Sequence, residues 1–241
     1  MYCKKTVLAG RTLEIEKYNR WGQAKGRIRG QKVQLSSEEQ QKRNEAQAVR
    51  KLTWEINENF GPGDYHLTLT YRDPAPEPEE AKKQLAKYLR KLRGAYRKAG
   101  AELKYIAVTE YKHQRIHHHL ILNRFDSAVI SGLWTFGYAR SSFLDGTGSY
   151  WRLAAYLVKE TRKSFSGDAK ALAGKRRWTP SKNLKHPEPK VEEVARSGFR
   201  KEPSRALKHK GQQYFLDPDR PWEVYVDLAG FEHLIAYYRR P

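Results

Sequence analysis

The 241-residue chain carries one cysteine, Cys3, and one methionine. A lone cysteine excludes an internal disulfide and any cysteine-rich zinc ribbon. No run approaches the ~18 apolar residues of a membrane span. Near the N-terminus the uncharged stretch that includes Thr6 to Ala9 is too short for the apolar core of an export signal. These absences predict a cytoplasmic chain in a reducing compartment, with no membrane partner. Acid is also scarce: 27 Asp and Glu stand against 47 Lys and Arg, a net charge of +20. Such a charge concerns partners and not fold, and nucleic acid comes first, because Lys and Arg on phosphates release condensed counterions. Hydrophobic residues at 39% still supply a core, which argues against global disorder.

Along the chain, residues 1–36 alternate in short pieces that suggest one or two strands. Ser36 and Ser37 followed by Glu38 and Glu39 open a helix, with Val49, Leu52, Ile56 and Phe60 at helical spacing before Gly61-Pro62-Gly63. Tyr65 to Tyr71 alternates as a strand does. A second helix follows, with Ala81, Leu85, Tyr88, Leu89, Leu92 and Tyr96 as its apolar stripe. Its other faces hold Lys82, Lys83, Lys87, Arg90, Lys91, Arg93, Arg97 and Lys98, with no acid between the first and last of them. Leu103–Tyr111 and His117–Asn123 read as a hairpin. A short helix near 127–134, a strand near 137–144 and a helix over 148–163 come next. This order predicts an α+β fold with an antiparallel sheet.

Residues 161–210 carry 15 basic and 5 acidic residues, half of the net charge, and read as a basic, mostly irregular connection. Strands are expected again at 214–216 and 222–228, and the tail 231–238 fits strand or helix. The resulting division is an N-terminal arm (1–36), a core (37–165) and a basic connection whose C-terminal strands pack on that core (166–241).

His117-His118-His119 is the sharpest local feature. On a strand His117 and His119 share one face, and His118 shares the other with Leu120 and Leu122. His118 is thus expected toward the core, and the outer pair on an open face. A histidine pair without a ligand is the commoner use of an isolated H-x-H. Glu110 changes the weighing, because a hairpin can bring it beside the pair. Two imidazoles and a carboxylate leave open positions on Mg²⁺ or Mn²⁺, which suits catalysis. His113, in the connection, is a second choice of ligand.

The helix at 148–163 sorts its residues into two stripes. Tyr150, Ala154 and Leu157 form an apolar one. Arg152, Tyr156, Lys159 and Lys163 form a cationic one. Neighbouring cations favour a phenolate, as a tyrosine nucleophile requires, so Tyr156 is the candidate nucleophile.

The strand Leu67–Thr70, the H-x-H and Tyr156-x-x-Lys159, in this order, resemble the motifs of HUH-superfamily rolling-circle replication initiators. The closer similarity is to plasmid and phage replication proteins of the filamentous-phage gene II type. The middle position of the H-x-H is usually hydrophobic in that family and is His118 here, and one tyrosine fits the nucleophile stripe instead of two. The resemblance implies an antiparallel sheet related to the RNA-recognition fold. It implies a divalent metal on Glu110, His117 and His119, and nicking of single-stranded origin DNA in a bacterial host's cytoplasm. Tyr156 would form a 5′-phosphotyrosine and leave a 3′-hydroxyl, with Lys159 aiding the phenolate or stabilising phosphate charge. No P-loop motif is present, so a host helicase and polymerase would have to follow. Arg152, Lys163, Arg176, Arg177 and Trp178 are the expected nucleic-acid contacts; for Trp178, an indole packed on the domain is an equal reading.

Three alternatives compete. A relaxase or transposase would use the same chemistry. A non-catalytic nucleic-acid-binding module would explain charge and aromatics, but not Glu110, the H-x-H and Tyr156-x-x-Lys159 together. A metal-free phosphoesterase would need two H-x-[ST] motifs, and His66-Leu67-Thr68 is the one that fits.

Overall fold

The computed structural model describes residues 2–19, 37–112, 115–161, 177–195, 202–227 and 231–241. The chain divides into two compact units. One comprises residues 1–47 and 186–241, the other Ala48–Lys185.

The first unit is built on strands from both ends of the chain. β1 (Tyr2–Ala9) and β2 (Thr12–Asn19) form a hairpin. β8 (Lys190–Val194), β9 (Ala206–His209), β10 (Gln212–Leu216), β11 (Trp222–Val226) and β12 (Glu232–Arg239) follow late in the chain. They join in the order β8-β1-β2-β12-β10-β9, with β11 also on β12. Leu13, Ile15, Tyr214, Leu234, Ala236 and Tyr238 make its core. The alternation over 1–36 gives a hairpin at residues 2–19, the rest of that stretch lying outside the described residues, and the tail 231–238 is strand. The segment 161–210, expected to be mostly irregular, contributes β8, β9 and the short β7 (Thr179–Pro180) among its described residues. These strands are short or carry few apolar side chains, so they leave little hydrophobic alternation in the sequence.

The second unit is a five-stranded antiparallel sheet covered on both faces by helices, the α+β arrangement that the element order predicts. β3 (Tyr65–Tyr71), β4 (Tyr105–Lys112), β5 (Arg115–Leu122) and β6 (Gly137–Phe143) run in the order β6-β3-β5-β4-β7. The helices are α1 (Ser37–Asn59), which enters this unit at Ala48, α2 (Pro78–Lys98), α3 (Ser127–Gly132) and α4 (Trp151–Glu160).

Alternation decides what each face carries. Tyr65, Leu67, Leu69, Tyr105, Ala107, Leu120 and Leu122 pack with Tyr88, Leu92 and Tyr96 of α2 and with Ile130 of α3. Ile106, Val108 and Ile121, on the other face, pack with Leu52 and Ile56 of α1 and Ala154, Leu157 and Val158 of α4. α2 has Pro78 in its first turn, acids Glu79 and Glu80 after it, and Gly100 at φ 70° beyond its end, so the stop signals are local. α3 is capped by Asp126, whose carboxylate accepts from the amides of Ala128 and Val129.

β6 enters the sheet at Gly137, and there only glycine fits. A Cβ would lie 1.9 Å from the carbonyl oxygen of Thr70, a backbone atom that also accepts from the Trp134 indole at 2.9 Å. Gly137→Ala is therefore expected to lower stability by about 3 kcal/mol or more. A urea midpoint unchanged from wild type would show that β6 can shift without loss.

Candidate active site

The α1/α4 face of the sheet turns polar toward one end. His66, Thr68 and Thr70 of β3, Glu110 of β4, and His117 and His119 of β5 all point to this face, opposite the leucines of the same strands. Cross-strand pairing arranges them in rows. One row runs Tyr138, Thr70, His117, Glu110, and the next runs Arg140, Thr68, His119, Val108.

Glu110 is the hub. Its Oε2 lies 3.4 Å from His119 Nε2 and 3.7 Å from His117 Nδ1. The carboxylate is 4% exposed and His119 is 3% exposed. The outer histidines therefore share a face, as expected, but that face is not open. α1 and α4 pack on this face, and of Glu110, His117 and His119 only His117 remains half-buried. On His119, Nδ1 meets both His66 Nε2 and Thr68 Oγ1 at 3.3 Å. The His66 and His119 rings stack at 5.5 Å.

His118 lies on the opposite, leucine-lined side, as the alternation requires. It is fully satisfied there. The Tyr71 hydroxyl donates to the Ala81 carbonyl and accepts from His118 Nε2 at 2.8 Å, and Thr109 Oγ1 meets Nδ1 at 2.9 Å. This network suits a neutral imidazole, and burial, helped by His119 and His117, lowers its pKa to about 3. Burial likewise lowers His119 to about 4, with His117 adding to the effect and Glu160 opposing it. His66 falls to about 4 through burial and His119.

These depressed values have a sign. The folded protein keeps the three imidazoles neutral, while the unfolded chain takes up protons near pH 6.5. Between about pH 4 and pH 6.5 the unfolded state binds more protons, so stability rises with pH. The melting temperature should therefore climb from pH 4 to 6.5, with this contribution fully present above 6.5. A flat profile over that window would contradict the buried, neutral assignment.

α4 brings Tyr156 to this cluster. The helix is anchored at its start, where Tyr150 N–H donates to Asn57 Oδ1 at 2.9 Å and the Tyr150 hydroxyl to the Asp145 carbonyl at 3.0 Å. Tyr150 is buried, as its stripe implies, and it precedes the helix as its cap residue. Ala154, Leu157 and Val158 seat the helix on the sheet, and Tyr156 is left 42% exposed. Its ring meets that of His119 edge-on at 5.4 Å and that of His66 at 6.3 Å.

The electrostatics around Tyr156 correct the sequence reading. The helical stripe predicts cations that favour the phenolate. Instead burial raises the phenol above its ordinary pKa, and Glu160 and Glu110 raise it further. Glu160 is one helical turn beyond Tyr156, an i,i+4 neighbour that the cationic stripe obscures. Arg152 sits over the Trp151 ring, 5.5 Å from its centroid, and Lys159 is exposed.

The other candidates separate. Trp178 donates its indole N–H to Glu55 Oε2 at 2.7 Å and packs half-buried against the α1/α4 core, which accounts for the indole without nucleic acid. Arg177 is half-buried. Lys163, Arg176 and His113 lie outside the described residues. Two side chains that sequence reasoning leaves aside belong here. His66 figures there only as part of an H-x-[ST] motif, although its alternation with Thr68 and Thr70 already puts it on this face. Arg140 comes from β6 in the row of His119. A cleft of about 440 Å³ opens at the end of the first row, lined by Thr70, Arg72, Asp73, His117 and Tyr138 among others.

Glu110, His117 and His119 are oxygen and nitrogen donors of the kinds that ligate divalent cations. Bonds of about 2.1 Å place adjacent ligands about 3.0–3.4 Å apart. The Glu110–His119 separation meets that range, and the Glu110–His117 separation is wider. Among the described residues no group of three His, Cys, Asp or Glu side chains has ligand geometry as it stands.

Residues 64–164 match a family of replication-associated proteins, described by its ORF2 and gene II protein members. The matched segment lies wholly within the second unit and spans His66, Glu110, His117, His119, Tyr156 and Lys159. It is similar to proteins of DNA replication over that length. No curated protein and no solved structure matches the chain. Among the described residues, no helix is long and apolar enough to cross a membrane.

Proposed function

We propose that the second unit is a replication-initiating endonuclease of the HUH type, which nicks single-stranded origin DNA through Tyr156. One observation carries the reading: Tyr156 lies edge-on to His119, on the sheet face where Glu110, His117 and His119 converge. The match to replication-associated proteins over the same residues supports it.

Glu110, His117 and His119 would hold a divalent ion, Mg²⁺ or Mn²⁺, whose chemistry there is polarisation of the scissile phosphate. A His119 that is neutral at physiological pH keeps its lone pair available for ligation. His66 and Thr68 contact His119 from behind and fix its ring, a common second partner for a ligating histidine. The Tyr156 oxygen attacks phosphorus, the bond from phosphorus to the 3′ oxygen breaks, and a 5′-phosphotyrosine and a 3′-hydroxyl result. The phenolic proton is released, and the leaving oxygen takes one up. Lys159, on the same helical row as Tyr156, supports the developing phosphate charge. Arg152, with Lys163 and Arg176, would guide the strand, while a host helicase and polymerase extend the freed end.

The test is incubation with labelled single-stranded oligonucleotides and Mn²⁺, followed by a denaturing gel. A covalent adduct that EDTA prevents is the expected result. Adduct formation surviving exhaustive chelation would remove the metal from the reading.

A further inference from the structure

The nicking site uses one face of the second unit's sheet and leaves the helix on the other face unexplained. α2 spans 21 residues, about 31 Å at the helical rise. Its buried side holds Ala81, Tyr88, Leu89, Leu92 and Tyr96. At about 100° per residue, Lys82, Lys83, Lys87, Arg90, Lys91, Arg93, Arg97 and Lys98 fill an arc of about 180° on the opposite side. All eight are exposed. Among the described residues only Lys82 of this set meets an acid, Glu79 at 4.0 Å, and Lys87 lies 6.0 Å from the Phe136 ring centroid. Like charges at i,i+3 and i,i+4 destabilise a helix by about 0.2–0.5 kcal/mol per pair. A surface kept only for solubility would intersperse acids, as the first turn does with Glu79 and Glu80.

We propose that this outer face of α2 is a second nucleic-acid interface, one that lies along the phosphate backbone of double-stranded DNA. Charge complementarity selects a polyanion, and the form of the surface selects the duplex. Single strands are held in a positively charged groove together with aromatic rings on which the bases stack. The aromatics of α2, Tyr88 and Tyr96, are both fully buried, so its charged face offers no stacking platform. Of the second unit's exposed aromatics, Tyr138 and Tyr156 belong to the opposite sheet face, whereas Phe143, on the edge strand β6, lies on the α2 side, where its ring packs against Tyr65 at 5.0 Å and is not part of the charged helix face. A straight helix with cations at positions 83, 87, 90 and 97 presents a rigid row, which matches a duplex carrying one charge per ≈ 1.7 Å of axis. The contact reads no sequence. It would hold the duplex that flanks an unpaired segment while that segment reaches the other face.

The test compares the full chain with a Lys83→Gln, Lys87→Gln, Arg90→Gln, Arg97→Gln variant, and with a Lys83→Arg, Lys87→Arg variant. Glutamine keeps helix propensity, and circular dichroism and the melting temperature check the fold. Affinity is measured over a salt series for a random duplex of about 30 base pairs, a random unpaired oligonucleotide, and vesicles with and without anionic lipid. The glutamine variant should lose duplex affinity, with the slope of log K against log salt reduced by roughly 3 to 4, about 0.9 per lost contact. Single-strand binding and adduct formation on a short oligonucleotide should persist, and the arginine variant should bind duplex as wild type does. An unchanged duplex slope would make the face a solvated one and overturn the proposal. So would equal losses on duplex and single strand, or a loss confined to anionic vesicles. Failure of the nuclease reading leaves the duplex measurement intact, so the two are separable.

Discussion

Tyr156→Phe should eliminate the covalent protein–DNA adduct while leaving the fold and DNA affinity intact. The substitution removes one oxygen from a residue that is 42% exposed and whose ring contacts, with His119 and His66, are edge-on and independent of the hydroxyl. The expected loss of cleavage is ~10⁴-fold or more, the scale seen when a nucleophile is deleted. Tyr150→Phe is the control. It removes a hydroxyl that donates to the Asp145 carbonyl, so it should cost about 1 kcal/mol of stability and leave cleavage in place. Lys159→Ala should slow cleavage by ~10²-fold, as loss of a positioned electrostatic group does. Single-turnover assays on a labelled oligonucleotide measure all three. Wild-type cleavage by Tyr156→Phe would remove this tyrosine from the mechanism.

The histidine triplet should divide in two under substitution. Glu110→Gln and His117→Ala should abolish Mn²⁺-dependent cleavage with small effects on stability, since His117 is half-buried and glutamine keeps the shape of glutamate. His119→Ala should abolish cleavage and also cost about 1–3 kcal/mol, because its ring is buried between Glu110, His66 and Thr68. His118→Ala should cost about 2–4 kcal/mol, since it removes a bonding partner from both Tyr71 and Thr109. That variant should still cleave below its lowered melting temperature. Denaturant titration beside the cleavage assay separates the classes. Full activity in His117→Ala, with loss in a folded His118→Ala, would mean the opposite face carries the chemistry.

Period-two alternation explains why so much of this site is legible in the sequence. Leu120 and Leu122 mark the core side of β5, so His118 has to follow them and His117 and His119 have to oppose them. The β4–β5 hairpin sets Glu110 directly across from His117. Both inferences need only local geometry. The burial of His119 is not legible, because the cover comes from α1 and α4, distant in sequence. The field at Tyr156 escapes for a related reason. Helical stripes count charges along one element, whereas Glu110 arrives from β4; Glu160 is readable as an i,i+4 neighbour on the same helix but is passed over for the cations beside it. The pairing of β12 with β2 joins residues more than 200 positions apart, and nothing in either strand announces its partner. His66 shows a different failure. Its face is readable, but the motif that draws attention to it belongs to another chemistry.

Peptide mapping of the trapped adduct tests the central claim most directly. The full chain is incubated with a single-stranded oligonucleotide and Mn²⁺, digested with protease and nuclease, and analysed by mass spectrometry. The nucleotide, linked through its 5′ phosphate, is expected on Tyr156 within the peptide from α4. A modification on Tyr150 or on any residue outside α4, or a cleaved oligonucleotide with no protein attached, would contradict it.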